Sequence, residues 1–278
     1  MTLSIDSTVT LANGVEMPLL GFGTYKVTGP DVVPSVREAL DAGYRHIDTA
    51  SLYDNEVEIG QAVRESRIAR DELFIATKVW NDEQGEEGVR AALARSLARL
   101  GMDYVDLYLV HWPLPQLYGA TWRGMEQVLE AGKARAIGVC NFLVEQLDAL
   151  ADVAEVLPMV DQIEHHPYLQ QPQVQERLRE RAIALEAWAP IARGRVLDDP
   201  VIGRIAAGYG VTSAQVTLRW LIQHGRIAIP RSVTPAHIRQ NADLYGFALS
   251  EAEMAEIDGL DRGEDGRFGT HPREFASR

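Results

Sequence analysis

Short apolar runs recur along the chain at intervals of roughly 25–30 residues. They are L-L-G-F-G (19–23), H-I-D-T-A (46–50), L-F-I-A-T-K-V (73–79), V-D-L-Y-L-V (105–110), R-A-I-G-V (135–139), M-V-D-Q-I (159–163), I-A-L-E-A-W (183–188) and I-A-I-P (227–230). Stretches of helical period separate them, such as 33–43 and 89–101, and both of these close on a glycine, a helix stop. Strands alternating with helices predict a parallel sheet. Eight of them is the number that closes a (β/α)8 TIM barrel; an open doubly wound sheet is the rival and usually has fewer strands. The interval before the last run holds two helical patterns, 200–209 and 213–223, which predicts an extra helix before strand eight. In V-T-L-A-N-G-V-E-M-P, Asn13-Gly14 between two apolar runs predicts an N-terminal β-hairpin with a type I′ turn. The polar, Gly-rich stretch 262–278 reads as a loop. The chain is expected to form one barrel domain over 1–278, with the hairpin in 1–18 and no linker.

Composition narrows the partners. Of 278 residues, 46% are hydrophobic and 24% charged, enough for one large core. The net charge of −13 argues against broad binding to nucleic acid or acidic membranes, so an anion site must be local. The single cysteine, Cys140, excludes an internal disulfide and fits a reducing compartment. The N-terminus carries no signal-peptide pattern, and no segment reaches the roughly 20 apolar residues of a membrane span. A cytoplasmic protein is the expectation.

In a barrel, chemistry gathers at the C-terminal ends of the strands. That filter picks out Asp48 and Tyr53, Lys78, and His111 on three consecutive strands. Each has a plainer reading alone: Asp48 as a helix cap, Tyr53 as loop packing, Lys78 reaching out to water, His111 as a satisfied core residue. Together they make an acid. A free phenol, with a pKa near ~10, is a poor acid at neutral pH, and an ammonium beside it lowers that value. Lys78 supplies the ammonium, Asp48 holds it, and Asp48 and Tyr53 need not touch. His111 orients a carbonyl. Such a phenol can protonate an oxygen while hydride reaches carbon, but the set has no hydride source and therefore needs a cofactor.

The stretches G-Y-R-H-I-D-T-A-x-x-Y-x-N-E, T-K-V-W-N, D-L-Y-L-V-H-W-P, A-I-G-V-C-N-F, V-D-Q-I-E-H-H-P and I-P-R-S-V closely resemble the aldo-keto reductases over nearly the whole chain. The short loops and L-E-A-W-A-P look most like the bacterial 2,5-diketo-D-gluconate reductase branch. The resemblance implies a monomer carrying out metal-free, NAD(P)H-dependent reduction of aldehydes and ketones, with Asp48, Tyr53, Lys78 and His111 as the catalytic tetrad and Tyr53 the acid. It assigns Asn141 and Gln162, with Cys140, to the nicotinamide carboxamide, and Trp188 to the ring face. Thr24, Tyr25 and Asp48 fall beside them. The loop Ala189, Pro190, Ile191, Ala192, Arg193, Gly194 would cross the pyrophosphate. Arg231, Ser232, Val233, His237, Gln240 and Asn241 would hold the adenosine end, next to a helix N-terminus. Gly21-Phe22-Gly23 is not a Rossmann fingerprint. Three departures stand out. Cys140 replaces the usual serine and is a weaker donor. Asp161 replaces an asparagine and cannot donate if ionised. Arg231 and His237 stand where NADPH-selective relatives carry Lys and Arg; neutral His is the weaker phosphate partner. NADPH is expected to be preferred, with NADH possible.

Substrate contacts are expected from Tyr25, Trp80, His111, Trp112 and Trp188, in a pocket left open by a short tail. Arg193 and His271 would favour keto-sugar acids if they face it; α-dicarbonyls are the other candidate class. His165-His166 is not read as a metal site, because neighbours on a strand face opposite ways. Two rivals stay open: a lyase or aldolase forming a Schiff base on Lys78, and a non-catalytic NADP-sensing subunit.

Overall fold

The computed structural model describes residues 3–275. The strands are β1 Thr8–Thr10, β2 Glu16–Pro18, β3 Gly21–Gly23, β4 His46–Asp48, β5 Phe74–Val79, β6 Val105–Val110, β7 Ala134–Cys140, β8 Val160–Glu164, β9 Ala184–Trp188 and β10 Ile227–Ala228. Strands β3 to β10 pair in parallel in chain order. A parallel bridge from Leu20 to Ala228 joins the two edges and closes a (β/α)8 barrel. The seam is finished by Ala228 N–H to Leu19 O at 2.9 Å and Gly23 N–H to Pro230 O at 3.1 Å. Gly23 is required there, since a Cβ would lie 2.8 Å from the Ile229 carbonyl oxygen.

The helices α1 Val32–Asp41, α2 Glu56–Ser66, α3 Glu86–Leu100, α4 Tyr118–Glu130, α5 Val144–Ala151 and α6 Pro172–Glu180 each follow a barrel strand. Between β9 and β10 come α7 Pro200–Tyr209 and α8 Ser213–Gln223, the predicted insertion. Then follow α9 Pro235–Ala242 and α10 Glu251–Asp258. Strands β4 to β8 are buried along their whole length, because barrel and helices cover both faces; only Arg135, second in β7, is exposed. Their apolar runs therefore lack alternation.

Two local expectations change. The hairpin is present, but its turn is not type I′. Gly14 has φ +84° while Asn13 does not share the left-handed region. Leu11 and Val15 close the loop, with Gly14 N–H to Leu11 O at 2.8 Å and Leu11 N–H to Val15 O at 2.8 Å. This is a three-residue loop in which glycine alone supplies the positive φ. Asn13 instead donates through Nδ2 to Arg135 O, at the start of β7, so the hairpin covers the N-terminal end of the barrel. The tail is also more ordered than a loop: Gly263–Gly266 forms a 3-10 turn and Pro272–Phe275 a short helix, α11. Its last three positions, 276–278, lie outside the described residues.

Candidate active site

The C-terminal mouth of the barrel brings Asp48, Tyr53, Lys78 and His111 together. Lys78, fully buried, extends from β5 into the barrel. Its Nζ donates to both Asp48 oxygens, at 2.7 and 2.8 Å, and to Thr49 O at 2.8 Å. The Tyr53 hydroxyl oxygen lies 3.5 Å from the same nitrogen. Asp48 and Tyr53 therefore meet only through Lys78. His111 follows β6, with its ring 5.7 Å from that of Tyr53 in an edge-on arrangement.

The residues behind Tyr53 explain how the phenol is held. Tyr53 ends a 3-10 turn, Ser51–Tyr53, and Asp54 then takes φ +52°. Asn55 is buried and clamps the loop: its Nδ2 donates to Thr24 O at 3.1 Å and Val27 O at 3.0 Å, and its Oδ1 accepts from Thr49 Oγ1 at 2.6 Å. Glu56 accepts from Thr77 Oγ1 at 2.7 Å and pairs with Arg99. The N-E of the motif thus anchors the tyrosine turn to the neighbouring strands. Thr24 faces inward as well, giving its hydroxyl to Asp48 O at 2.8 Å.

The electrostatics differ from the expectation for Tyr53. Burial pushes the phenol pKa up, and Lys78, which pulls it down, does not overcome that burial. Tyr53 therefore rests protonated, the state an acid needs before it acts. For Lys78, burial acts to lower the ammonium pKa, but Asp48, Tyr53 and Cys140 together outweigh it and the net direction is up. A Schiff base needs a neutral amine, so this lysine is unsuited to the lyase reading. Burial, then Lys78, drives His111 well below the usual imidazole range, so its ring is neutral.

Around this centre the Tyr25 ring lies tilted 5.1 Å from that of Tyr53, and Trp80 meets His111 edge-on at 5.0 Å. Asn141, at φ +64°, donates through Nδ2 to His111 O at 3.0 Å and accepts from Trp188 Nε1 at 2.8 Å. Gln162 donates through Nε2 to Asp48 Oδ1 and Glu186 Oε2, both at 2.8 Å. With both amide protons committed, its side-chain carbonyl is left to accept. Cys140 is buried in the same layer, opposite Gln162. Asp161 is not part of this set: next to inward-facing Gln162 it faces outward, and its Oδ1 accepts from Phe142 N–H at 3.4 Å. Burial raises its pKa well above the carboxylate range, which removes the expectation of an ionised group.

The loop after β9 is left-handed at Ala189, Ala192, Arg193 and Gly194. Such conformations cost of order 1 kcal/mol or more at non-glycine residues and collect at ligand-binding segments. Pro190 and Ile191 complete that loop, and Arg193 is exposed. Arg231, Val233, His237 and Gln240 are exposed around the start of α9, with Ser232 partly and Asn241 fully buried. Arg231 is steered by a 2.7 Å bond from its guanidinium to Lys26 O.

The tail corrects the expectation of an open pocket. Glu164, buried at the end of β8, accepts from the Phe268 and Gly269 N–H groups, both at 2.8 Å. So anchored, the tail lays Gly269 against the Trp188 ring, where a Cβ would clash at 2.4 Å. It also stacks Phe275 on Trp112, with centroids 4.1 Å apart and planes 8° apart, and sets its edge to Trp80 at 6.0 Å. Phe275 was hidden from sequence reading because nothing in a polar tail marks one aromatic as a wall. His271 does not point to acidic substrates; it lies 3.6 Å from Glu264. His165 stacks on Trp220, while His166 bonds Glu164 at 3.1 Å, so the two diverge. No group of three or more metal-ligating side chains occurs among the described residues. Nor is any described helix long and apolar enough to cross a membrane.

Known proteins resemble this chain over nearly its whole length. The Aldo/keto reductase family model matches residues 19–262. The glyoxal reductase of Bacillus subtilis is 46% identical over 276 residues, covering 99% of each chain. A methylglyoxal reductase of Salmonella typhimurium is 42% identical, covering 96% of this chain and 97% of that protein. The crystal structure of a Gox0644 mutant in complex with NADPH superposes with a TM-score of 0.91 at 39% identity, covering 96% of this chain and 98% of that one. A barrel whose strand ends converge on a lysine-held tyrosine, matched along almost its whole length, leaves one assignment: this chain is an oxidoreductase that belongs to the aldo-keto reductase family.

Proposed function

We propose that this enzyme reduces small aldehydes and ketones, α-dicarbonyls foremost, with NADPH as the preferred hydride donor. The observation that carries the reading is the Lys78 ammonium, held by both Asp48 oxygens and 3.5 Å from the Tyr53 hydroxyl. A substrate carbonyl seated between Tyr53 and His111 accepts hydrogen bonds from groups already fixed in place. As its oxygen gains charge, Tyr53 passes its proton to it. The phenolate left behind faces Lys78, whose charge Asp48 secures. Bound NADPH supplies the hydride. The donor set fits that cofactor: Gln162 offers only its carbonyl to a carboxamide N–H, and Asn141 keeps Trp188 in place as a ring face. The strained loop 189–194 would follow the pyrophosphate, and Arg231, with Ser232, Val233, His237, Gln240 and Asn241 nearby, would hold the adenosine end.

The substrate class follows from the pocket walls. Tyr25, Trp80, Trp112 and Phe275 are aromatic, and the tail narrows the mouth. A small, uncharged dicarbonyl suits such a slot better than a keto-sugar acid, and the similarity to a glyoxal reductase supports it. The test is NADPH consumption with glyoxal, methylglyoxal, simple aldehydes and keto acids. The dicarbonyls should give the highest kcat/KM; a clear preference for keto acids would overturn the substrate reading. No turnover with tight NADPH binding would restore the sensor reading.

Arg231→Ala tests the cofactor choice. A charge-assisted hydrogen bond contributes about 1.5–3 kcal/mol, so kcat/KM for NADPH should fall about 10–100-fold. The value for NADH should barely change. An equal loss with both cofactors would show that Arg231 does not read the 2′-phosphate.

A further inference from the structure

Beneath the tetrad lies a second buried acid that the motifs do not use. Glu186 sits in the middle of β9, fully buried, in register with Gln162. Its Oε2 accepts from Gln162 Nε2 at 2.8 Å, and the same nitrogen donates to Asp48 Oδ1 at 2.8 Å. A continuous line of polar contacts thus runs from Glu186 through Gln162, Asp48 and Lys78 to Tyr53. The other Glu186 oxygen, Oε1, has no hydrogen-bond partner, and neither ring nitrogen of His46 has one. The two groups face each other, with Nε2 3.5 Å from Oε1. His46 has no other polar outlet: its Nδ1 lies against Gly21, where a Cβ would come within 2.4 Å, and its ring meets the Phe74 edge at 5.0 Å.

We propose that Glu186 is a positioning residue for the reduction: it fixes the Gln162 amide that steadies Asp48, and by gaining or losing its own proton it changes the charge felt by Lys78 and Tyr53. This rests on the roles assigned above to Tyr53 and Lys78. Glu186 and Asp48 are held by one Gln162 amide nitrogen, and like charges linked this way in a buried layer resist simultaneous ionisation. Burial and then Asp48 push Glu186 up to about 8, against Gln162 and Lys78, which pull it down. The other titratable groups of this layer are His46, kept neutral chiefly by burial and then by Lys78, and Cys140, whose thiol burial holds well above its usual range. Neither changes charge near neutrality, so Glu186 is the group that does.

The sign follows. An ionised Glu186 adds negative charge below Lys78 and disfavours the phenolate that forms when Tyr53 gives up its proton. The kcat for carbonyl reduction should fall on the order of tenfold as pH rises through about 8. In Glu186→Gln the side chain keeps its shape and its acceptor for Gln162 but cannot ionise, so that fall should be absent while KM for NADPH is unchanged. Stability gives a readout independent of turnover. A carboxyl whose pKa is raised from 4.5 to about 8 on folding keeps its proton in the native state, so the wild type should lose Tm steadily across that window. Glu186→Gln should lose less. Infrared difference spectra of the unliganded protein on either side of the transition should show a protonated-carboxyl band in the wild type that is missing from the variant. If Glu186→Gln does not fold, Glu186→Asp serves instead, since moving the carboxyl should shift both band and profile. Unchanged pH profile and unchanged infrared band overturn the inference. A wild type that reduces no carbonyl would sink the proposed function instead, and the infrared and Tm comparisons would still decide whether Glu186 exchanges its proton.

Discussion

Tyr53→Phe should lower kcat for carbonyl reduction by about 10²–10⁴-fold, the usual contribution of a positioned general acid, and leave NADPH affinity intact. The hydroxyl is the only group removed. The ring keeps its contacts with Tyr25 and His111. Lys78 retains both Asp48 oxygens and Thr49 O, so no charge is orphaned. Stability should change by no more than about 1 kcal/mol, the net worth of one hydrogen bond. Steady-state rates with a dicarbonyl, NADPH titration by fluorescence and a urea melt separate the three effects. A variant within about fivefold of wild type, against the size expected of an acid, would mean that another group delivers the proton.

Lys78→Met should be both inactive and unstable. The wild-type pair has no solvent to fall back on: Lys78 is fully buried and Asp48 almost so. Removing one member of a buried pair leaves the other uncompensated and costs about 3–5 kcal/mol. The same change strips the phenolate of its counter-charge, so activity should fall at least as far as in Tyr53→Phe. The double variant Asp48→Asn with Lys78→Met replaces the charges by neutral groups of similar size. It should recover much of the stability and none of the activity. Urea unfolding of wild type, both single variants and the double variant measures this coupling. Strictly additive losses would show that the pair is not the unit of stability.

The two variants divide the site into parts the chain announces and parts it conceals. Asp48, Lys78 and His111 could be located because a barrel forces the ends of consecutive strands into one mouth, so a reactive residue at each strand end is already a cluster. Tyr53 came from the loop just behind. Its resting pKa is not legible there, since a charge neighbour is visible in a motif whereas the burial that outweighs it is a property of the closed barrel. Glu186 was written in I-A-L-E-A-W all along. A carboxylate in the middle of an apolar strand is a signal, but its partners His46 and Gln162, and Asp48 beyond Gln162, come from β4 and β8, strands remote from it in the chain. Asn55 is one letter of a motif in the sequence, and its work of tying Thr24, Val27 and Thr49 together appears once the loops after β3 and β4 are side by side.

By itself the sequence determined the alternation of strands and helices, the barrel, the mouth at which chemistry gathers and the residues able to perform it. These are encoded in local periodicity and in the order of elements along the chain. The tertiary structure alone decided the direction of each pKa shift, the pairing of Glu186 with the tetrad and the closing of the pocket by Phe275. Each depends on distances between segments remote in sequence. In a low-dielectric interior, a few ångströms set whether burial or a neighbouring charge prevails.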